Sequence, residues 1–123
     1  MDDTLTDGKT SPQAAAQDIG ALLREHNGGD VVVMDLRRFN SWTDFFVIAT
    51  VTSHTHVQGL LRHIKEFAVD RDLEILRRHR KSSPDDEWNL IDMGSVVIHL
   101  MSSKSRAFYE LERLWAASPA TKP

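Results

Sequence analysis

Three aspartates are the residues best placed to support metal-dependent chemistry. Asp35, Asp44 and Asp92 each lie at or near the end of an expected strand, where carboxylates could converge on Mg²⁺ for phosphoryl or nucleotidyl transfer. Aspartates at such positions more often satisfy backbone groups in turns, and the sequence has no glycine-rich phosphate loop. Turn capping is therefore the favoured interpretation. A metal-dependent nucleotidyltransferase-like enzyme stays as the alternative.

The histidines do not complete a catalytic or metal-binding set. His54 and His56 are two residues apart at a helix start, a spacing at which the rings point apart. Strand alternation puts His99 on one face with Val97 and Met101, and no nucleophile can be paired with it. A hydrogen-bonded structural histidine is favoured there. We predict no catalytic residue, no metal ligand and no cofactor.

A group of aromatic and charged residues near the end of the chain is more typical of an interaction surface: Trp88, Asp92, His99, Arg106 and Tyr109. Trp, Tyr and Arg supply interface hot spots because they combine contact area with directional hydrogen bonds. Coverage of the core rim by Trp88 and Tyr109 is an equally open interpretation. The basic run Arg77 to Lys81 is followed by an acidic run, which favours a solvated loop over a phosphate contact.

Length and composition limit the class of protein. At 123 residues the chain has the size of one domain, and its net charge of -3 lacks the basic excess of most nucleic-acid binders. The absence of cysteine excludes a disulfide framework, a thiolate-held cluster and a cysteine nucleophile. No apolar run approaches the roughly 20 residues of a membrane span. We expect a soluble, cytoplasmic protein.

Hydrophobic periodicity predicts the order helix, two strands, helix, three strands, helix, and thus an α/β domain with a mixed sheet of about five strands. A first helix starts at Ser11 and Pro12. The expected strands are Val31 to Leu36, taken as a central strand, Asp44 to Val51, Leu73 to Arg78, and a hairpin of Trp88 to Met93 and Ser95 to Met101 joined at Gly94.

The remaining expectations concern two helices and the chain ends. Thr52 or Ser53 is expected to cap the second helix. The last helix is expected to start between Ser102 and Ser105 and to bury Ala107, Phe108, Leu111, Leu114 and Trp115. The domain is expected to span residues 11–115, between flexible tails at 1–10 and 116–123.

Four stretches, in this order and spacing, resemble the Iojap or ribosomal silencing factor (RsfS) family: SWTDFFVIAT from Ser41, Ser53 with His56 and Val57, WNLIDMGSVVIHLM from Trp88, and RAFYELERLW from Arg106. The resemblance covers about Pro12 to Trp115. It implies an α/β fold related to nucleotidyltransferases but not known for catalysis, which agrees with the missing phosphate loop.

The function that the resemblance implies is binding to the large ribosomal subunit through ribosomal protein uL14 on its subunit-joining face. Occupation of that face would block the small subunit and repress translation when nutrients are short. An auxiliary contact with ribosomal RNA and a homodimer are left open. The partner-binding residues implied are Thr43, Asp44, Trp88, Asp92, His99, Met101, Arg106 and Tyr109.

Two departures from the family pattern bear on the electrostatic fit to a partner. Ser95 stands where the family usually has an aspartate after the hairpin glycine. Lys81 and Ser82 stand where it often has an acidic residue and a glycine. The first change removes an acidic group and the second reverses a charge, so the match to a basic ribosomal protein is expected to be rearranged.

Overall fold

The computed structural model describes residues 11–38, 43–81 and 87–111. Within this part, the helices are α1 (Pro12–Glu25), α2 (His54–Asp70) and α3 (Ser103–Tyr109). The strands are β1 (Gly29–Asp35), β2 (Phe45–Val51), β3 (Arg77–Lys81), β4 (Trp88–Asp92) and β5 (Val96–Ser102). The predicted order of elements is confirmed. The expected tails, with Leu114 and Trp115, lie outside the described residues.

The first two helices begin where their capping residues predict. The Ser11 hydroxyl accepts from the Ala14 N–H at 3.2 Å, and the Ser53 hydroxyl accepts from the His56 N–H at 3.0 Å. Each bond satisfies one of the free amides at a helix start. Both helices bury one apolar stripe: Ala15, Ala16, Ile19 and Leu23 in α1, and Val57, Leu60, Leu61, Ile64, Phe67 and Ala68 in α2.

The five strands form one mixed sheet in the order β1-β2-β5-β4-β3, so the predicted fold class is confirmed. β2 and β5 lie parallel at its centre, and the other pairs are antiparallel. The hairpin between β4 and β5 turns at Gly94, whose φ of 87° favours glycine. The sheet thereby fixes which side chains of β4 and β5 lie next to each other.

β1 is an edge strand, so the prediction of a central strand here is wrong. It pairs only with β2, and its residues are half-buried or exposed. The valine run is explained by α1, which packs closely on one face of the strand. A Cβ on Gly20 would lie 2.9 Å from a methyl carbon of Val33, so glycine permits this approach.

The third strand lies later in the chain than predicted. Leu73 and Ile75 pack against the helix-covered core as a connecting segment, and the strand proper is Arg77–Lys81. The basic run is therefore the other edge of the sheet rather than a loop. The basic run forms a strand because it pairs with β4: Arg77 lies opposite Asp92 and Lys81 opposite Trp88.

The two faces of the sheet are covered unequally. α1 and α2 pack on one face over the larger core. The opposite face carries a smaller buried cluster of Leu36, Phe46, Ile48, Val97 and Met101. Half-buried apolar residues surround this cluster: Met34, Trp88, Leu90, Tyr109 and Leu111. We call this side of the sheet the aromatic face.

α3 differs from the predicted last helix. Ala107 and Phe108 are exposed instead of buried, and Ser105 is the buried residue of the helix. The helix ends at Tyr109 because Glu110 takes a left-handed conformation with a φ of 49°. A helix of this length turns only part of its surface toward the sheet. Tyr109 and Leu111 make that contact at the aromatic face.

Candidate interaction surface

The register of β4 and β5 assembles the aromatic face. Trp88 lies opposite Met101, and Leu90 lies opposite His99. Directly paired residues point to the same side of a sheet, and side chains alternate along each strand. The predicted grouping of Val97, His99 and Met101 on one face is therefore confirmed.

Trp88, His99 and Tyr109 form the centre of this face. The Trp88 Nε1–H donates to His99 Nδ1 at 3.0 Å. The Tyr109 ring centroid lies 4.5 Å from that of Trp88, and the Phe46 and His99 rings meet in a T-shaped contact at the same centroid distance. Trp88 and Tyr109 are half-buried, whereas His99 is 2% exposed. A partner could reach both larger rings, with the histidine beneath them.

Phe108 extends the same group and was missed as a candidate. Its ring packs edge-to-face on Tyr109 with centroids 4.9 Å apart, and the residue is 78% exposed. The sequence carries no signal for this exposure, since a phenylalanine at helical spacing reads as a core residue. Phe108 lies on the side of α3 that is turned away from the sheet, whereas Ser105 is buried.

His99 is neutral in this environment. Burial lowers its pKa to about 4 because the charged imidazolium would lose its hydration. The indole N–H can only donate, so Nδ1 must be the unprotonated nitrogen and Nε2 carries the proton. Nε2 has no hydrogen-bond partner among the described residues.

Two other predicted contact residues, Met101 and Arg106, make structural contacts around this centre. Met101 is fully buried beneath Trp88. Arg106 donates to Thr50 Oγ1 at 2.9 Å and to the Gly29 carbonyl at 3.3 Å, which ties α3 to the β1 side of the sheet. This contact gives Arg106 a structural role in holding α3.

Asp92, Thr43 and Asp44 lie at the opposite end of the sheet from Trp88. Asp92 is four residues along β4, roughly 13 Å away at strand spacing. Thr43 and Asp44 precede β2, whose first residue, Phe45, lies opposite Val96 at the start of β5. Thr43 is 3% exposed. The eight predicted residues therefore do not form one patch.

The strand-end aspartates make local contacts. Asp35 forms a two-point ion pair with Arg37, at 2.9 and 2.7 Å, and the Arg37 hydrogen bonds lower the pKa of this carboxyl. Asp92 accepts from the Gly94 N–H at 2.8 Å and pairs with Arg77 at 3.1 Å. Over residues 11–38, 43–81 and 87–111 no three His, Cys, Asp or Glu side chains could hold a metal ion together.

His54 and His56 point apart, as predicted. The Thr52 N–H donates to His56 Nδ1 at 3.2 Å, and His56 Nε2 lies 3.2 Å from the His26 carbonyl, joining the start of α2 to the end of α1. His54 instead contacts Arg80 of β3, at 3.0 Å from its Nδ1. Both rings thus connect elements of the fold.

The basic edge strand β3 lies beside the aromatic face. Arg77 and His79 occupy positions on the same side as Asp92 and Leu90, respectively. Arg77 is paired with Asp92, and Arg80 with Glu87 at 3.4 Å. Arg78 is exposed, and no ion pair with it is found among the described residues. The charge along this edge is therefore only partly neutralised.

Comparison with known proteins identifies the family. The model of the family described as "Ribosomal silencing factor during starvation" matches residues 9–123. The chain belongs to this ribosomal silencing factor family. A ribosomal silencing factor of Treponema pallidum is 36% identical over 105 residues, covering 85% of this chain and 93% of that protein. The family is named for silencing and not for an enzymatic activity.

A second relative and a solved structure extend the comparison. The mouse protein named "Mitochondrial assembly of ribosomal large subunit protein 1" is 32% identical, covering 77% of this chain and 42% of that protein. A crystal structure from Chromobacterium violaceum superposes with a TM-score of 0.77 at 24% identity, covering 93% of this chain and 91% of that one. This likeness establishes the shared fold.

The helices were also compared with the requirements of a membrane span. No helix in the described ranges is both long and apolar enough to cross a bilayer. The longest described helix, α2, has 17 residues and is amphipathic.

Proposed function

We propose that this protein binds the large ribosomal subunit and sterically prevents the small subunit from joining, so that translation falls when nutrients are limiting. The observation that carries the proposal is the aromatic face of a ribosomal silencing factor domain, where the half-buried Trp88 and Tyr109 rings pack against each other beside Phe108. Such a protein acts in the cytoplasm, where subunits join.

The partner on the large subunit is ribosomal protein uL14, on the subunit-joining face. Aromatic residues with one exposed side bury much area on binding at a small cost in conformational entropy. A standard interface needs about 800 Å² from each partner. Under this proposal we expect the aromatic face and α3 to provide that contact area.

The two departures from the family pattern have unequal consequences under this proposal. Ser95 lies at the hairpin turn, where its carbonyl accepts from the Asp44 and Phe45 N–H groups at 3.0 Å, far from Trp88. Lys81 is paired with Trp88 in the sheet register. The charge at Lys81 is therefore the departure expected to affect partner selection.

β3 supports an auxiliary contact with ribosomal RNA. Phosphates surround proteins on the ribosome, and lysine and arginine contact them without reading sequence. A homodimer that buries the aromatic face would compete with ribosome binding. Sedimentation equilibrium of the purified protein over a range of concentrations measures that competing state.

Sedimentation with separated ribosomal subunits tests the proposed function. The purified protein is mixed with large or small subunits and pelleted through sucrose, and the bound fraction is measured. We expect saturable pelleting with large subunits and none with small subunits. Equal pelleting with both, or with neither, would overturn the proposal.

A further inference from the structure

We propose that His99 is a positioning residue for partner binding: its buried imidazole accepts the Trp88 indole N–H and fixes the ring in the orientation that the partner meets. This inference rests on the proposed function, because it concerns the same surface. His99 itself, at 2% exposure, offers almost no area to a partner. Its effect on binding must therefore pass through Trp88.

The geometry supplies a buried acceptor for a ring that is itself only half-buried. A half-exposed tryptophan at the start of a strand can populate several rotamers. The 3.0 Å bond to Nδ1 favours one of them, and the Tyr109 ring at 4.5 Å supports it from α3. The acceptor is held in turn by the central strand β5 and by a T-shaped ring contact with Phe46.

The unpartnered Nε2 argues against a purely structural role. With Nδ1 accepting, Nε2 carries a proton that no group in the described part of the chain accepts. A buried donor without an acceptor costs stability, and an apolar side chain of similar size would avoid that cost. What histidine offers here, and leucine does not, is the acceptor for Trp88.

The contribution to binding comes from preorganisation. An immobilised side chain has already lost the rotamer freedom that a partner would otherwise have to remove. Replacement of His99 by leucine should therefore weaken binding to large subunits roughly 3- to 10-fold, the factor expected for one rotamer-rich side chain. His99→Asn places an amide oxygen near the position of Nδ1 and should restore most of the affinity.

A double-mutant cycle with Trp88→Phe tests the mechanism. Phenylalanine keeps a ring but removes the indole donor, so His99→Leu should have no further effect on binding in that background. Full additivity of the two losses would overturn the inference. Thermal unfolding of each variant gives the folded concentration. If His99→Leu does not fold, His99→Val, which also lacks the acceptor, takes its place in the cycle with Trp88→Phe.

A second readout does not involve the ribosome. The Trp88 indole N–H resonance of ¹⁵N-labelled protein should be shifted and slow to exchange in wild type, and lose both properties in His99→Leu. An unchanged resonance would overturn the positioning role even if affinity fell. Failure of the wild type to bind large subunits, with the resonance behaving as expected, would instead reject the proposed function and leave the His99–Trp88 contact standing.

Discussion

Trp88 belongs to the fold and to the proposed surface at the same time. Its ring packs on the buried cluster of the aromatic face and against Tyr109, and its indole N–H reaches His99, yet the residue is only half-buried. The structure thus places the residue between the two interpretations that the sequence left open. Its replacement should therefore change binding and stability by different amounts.

The first prediction concerns Trp88→Ala. We expect affinity for large subunits to fall by about 2 kcal/mol or more, roughly 30-fold, the scale of an interface hot spot. Stability should fall by less than the about 3 to 5 kcal/mol of a fully buried tryptophan, because only part of the ring is covered. Thermal melts and binding titrations on the same variant separate the effects. Wild-type affinity at equal folded concentration would remove Trp88 from the surface.

The second prediction is a pH dependence of stability caused by His99. Its pKa is about 4 in the folded protein against 6.5 for the free side chain. Between these values the unfolded chain binds a proton that the folded protein does not, so the unfolding free energy falls as pH is lowered from 6.5 to 4. The total loss is about 3 kcal/mol, and above pH 6.5 the group contributes no pH dependence.

Urea unfolding of wild type and His99→Asn between pH 7 and 4 measures this effect. The variant should lose stability less steeply over that interval. The Asp35 carboxyl does not interfere, since its pKa is lowered from 3.8 and its ion pair is lost only at more acidic pH. Identical slopes for the two proteins would show that His99 does not titrate as its burial predicts.

At the scale of elements, local signals could be predicted and long-range pairing could not. Ser11 and Ser53 mark helix starts by bonds within three residues, and Gly94 marks a tight turn. β1 is at an edge because β2 pairs with β5 on its other side. β5 begins 45 residues after the end of β2, so this pairing is not visible in the local sequence. The valine run is compatible with either place.

The candidate site was predicted to a similar extent. Alternation along β5 identified the shared face of Val97, His99 and Met101, because that pattern is local. The contact between Trp88 and Tyr109 was not predictable in this way, because it depends on where α3 packs on the sheet. The exposure of Phe108 depends on which side of α3 packs on the sheet, and such a long-range contact leaves no local signal in the sequence.

The third prediction tests whether α3 contributes to the surface. Phe108→Ala should weaken binding to large subunits about tenfold, because an aromatic ring next to Tyr109 is lost from the contact area. Stability should change by less than about 0.5 kcal/mol, since the residue is 78% exposed. Val69→Ala is the matched control: it is 79% exposed on α2, in the opposite layer, and should change neither quantity. Equal binding by the wild type, Phe108→Ala and Val69→Ala would exclude α3 from the binding surface.

The fourth prediction concerns the charge on β3. Arg78→Gln with Lys81→Gln should lower affinity for whole large subunits and reduce the slope of log affinity against log salt by roughly 1 to 2, while binding to isolated uL14 stays nearly unchanged. The ion pair of Arg80 with Glu87 is left intact. Arg62→Gln with Lys65→Gln, at two exposed positions of α2, controls for net charge. An unchanged salt slope in the double variant would indicate a solvated edge without RNA contact.

At the scale of the whole molecule, the domain has two unlike sides. α1 and α2 cover one face of the sheet. The other face is the aromatic face, and among the described helices α3 packs on it. A protein that acts by occlusion needs one face that binds the large subunit. Its opposite face needs only enough volume to block the small subunit. The helix layer would then face the approaching small subunit and exclude it by volume.

Order of addition tests the occlusion mechanism most directly. Purified protein is added to separated subunits before mixing, or to joined ribosomes after mixing, and the products are resolved on a sucrose gradient. Addition before mixing should lower the yield of joined ribosomes strongly, with the protein sedimenting on the free large subunits, whereas addition after joining should have far less effect. Equal inhibition in both orders, or a normal yield of joined ribosomes with the protein bound to large subunits, would contradict occlusion.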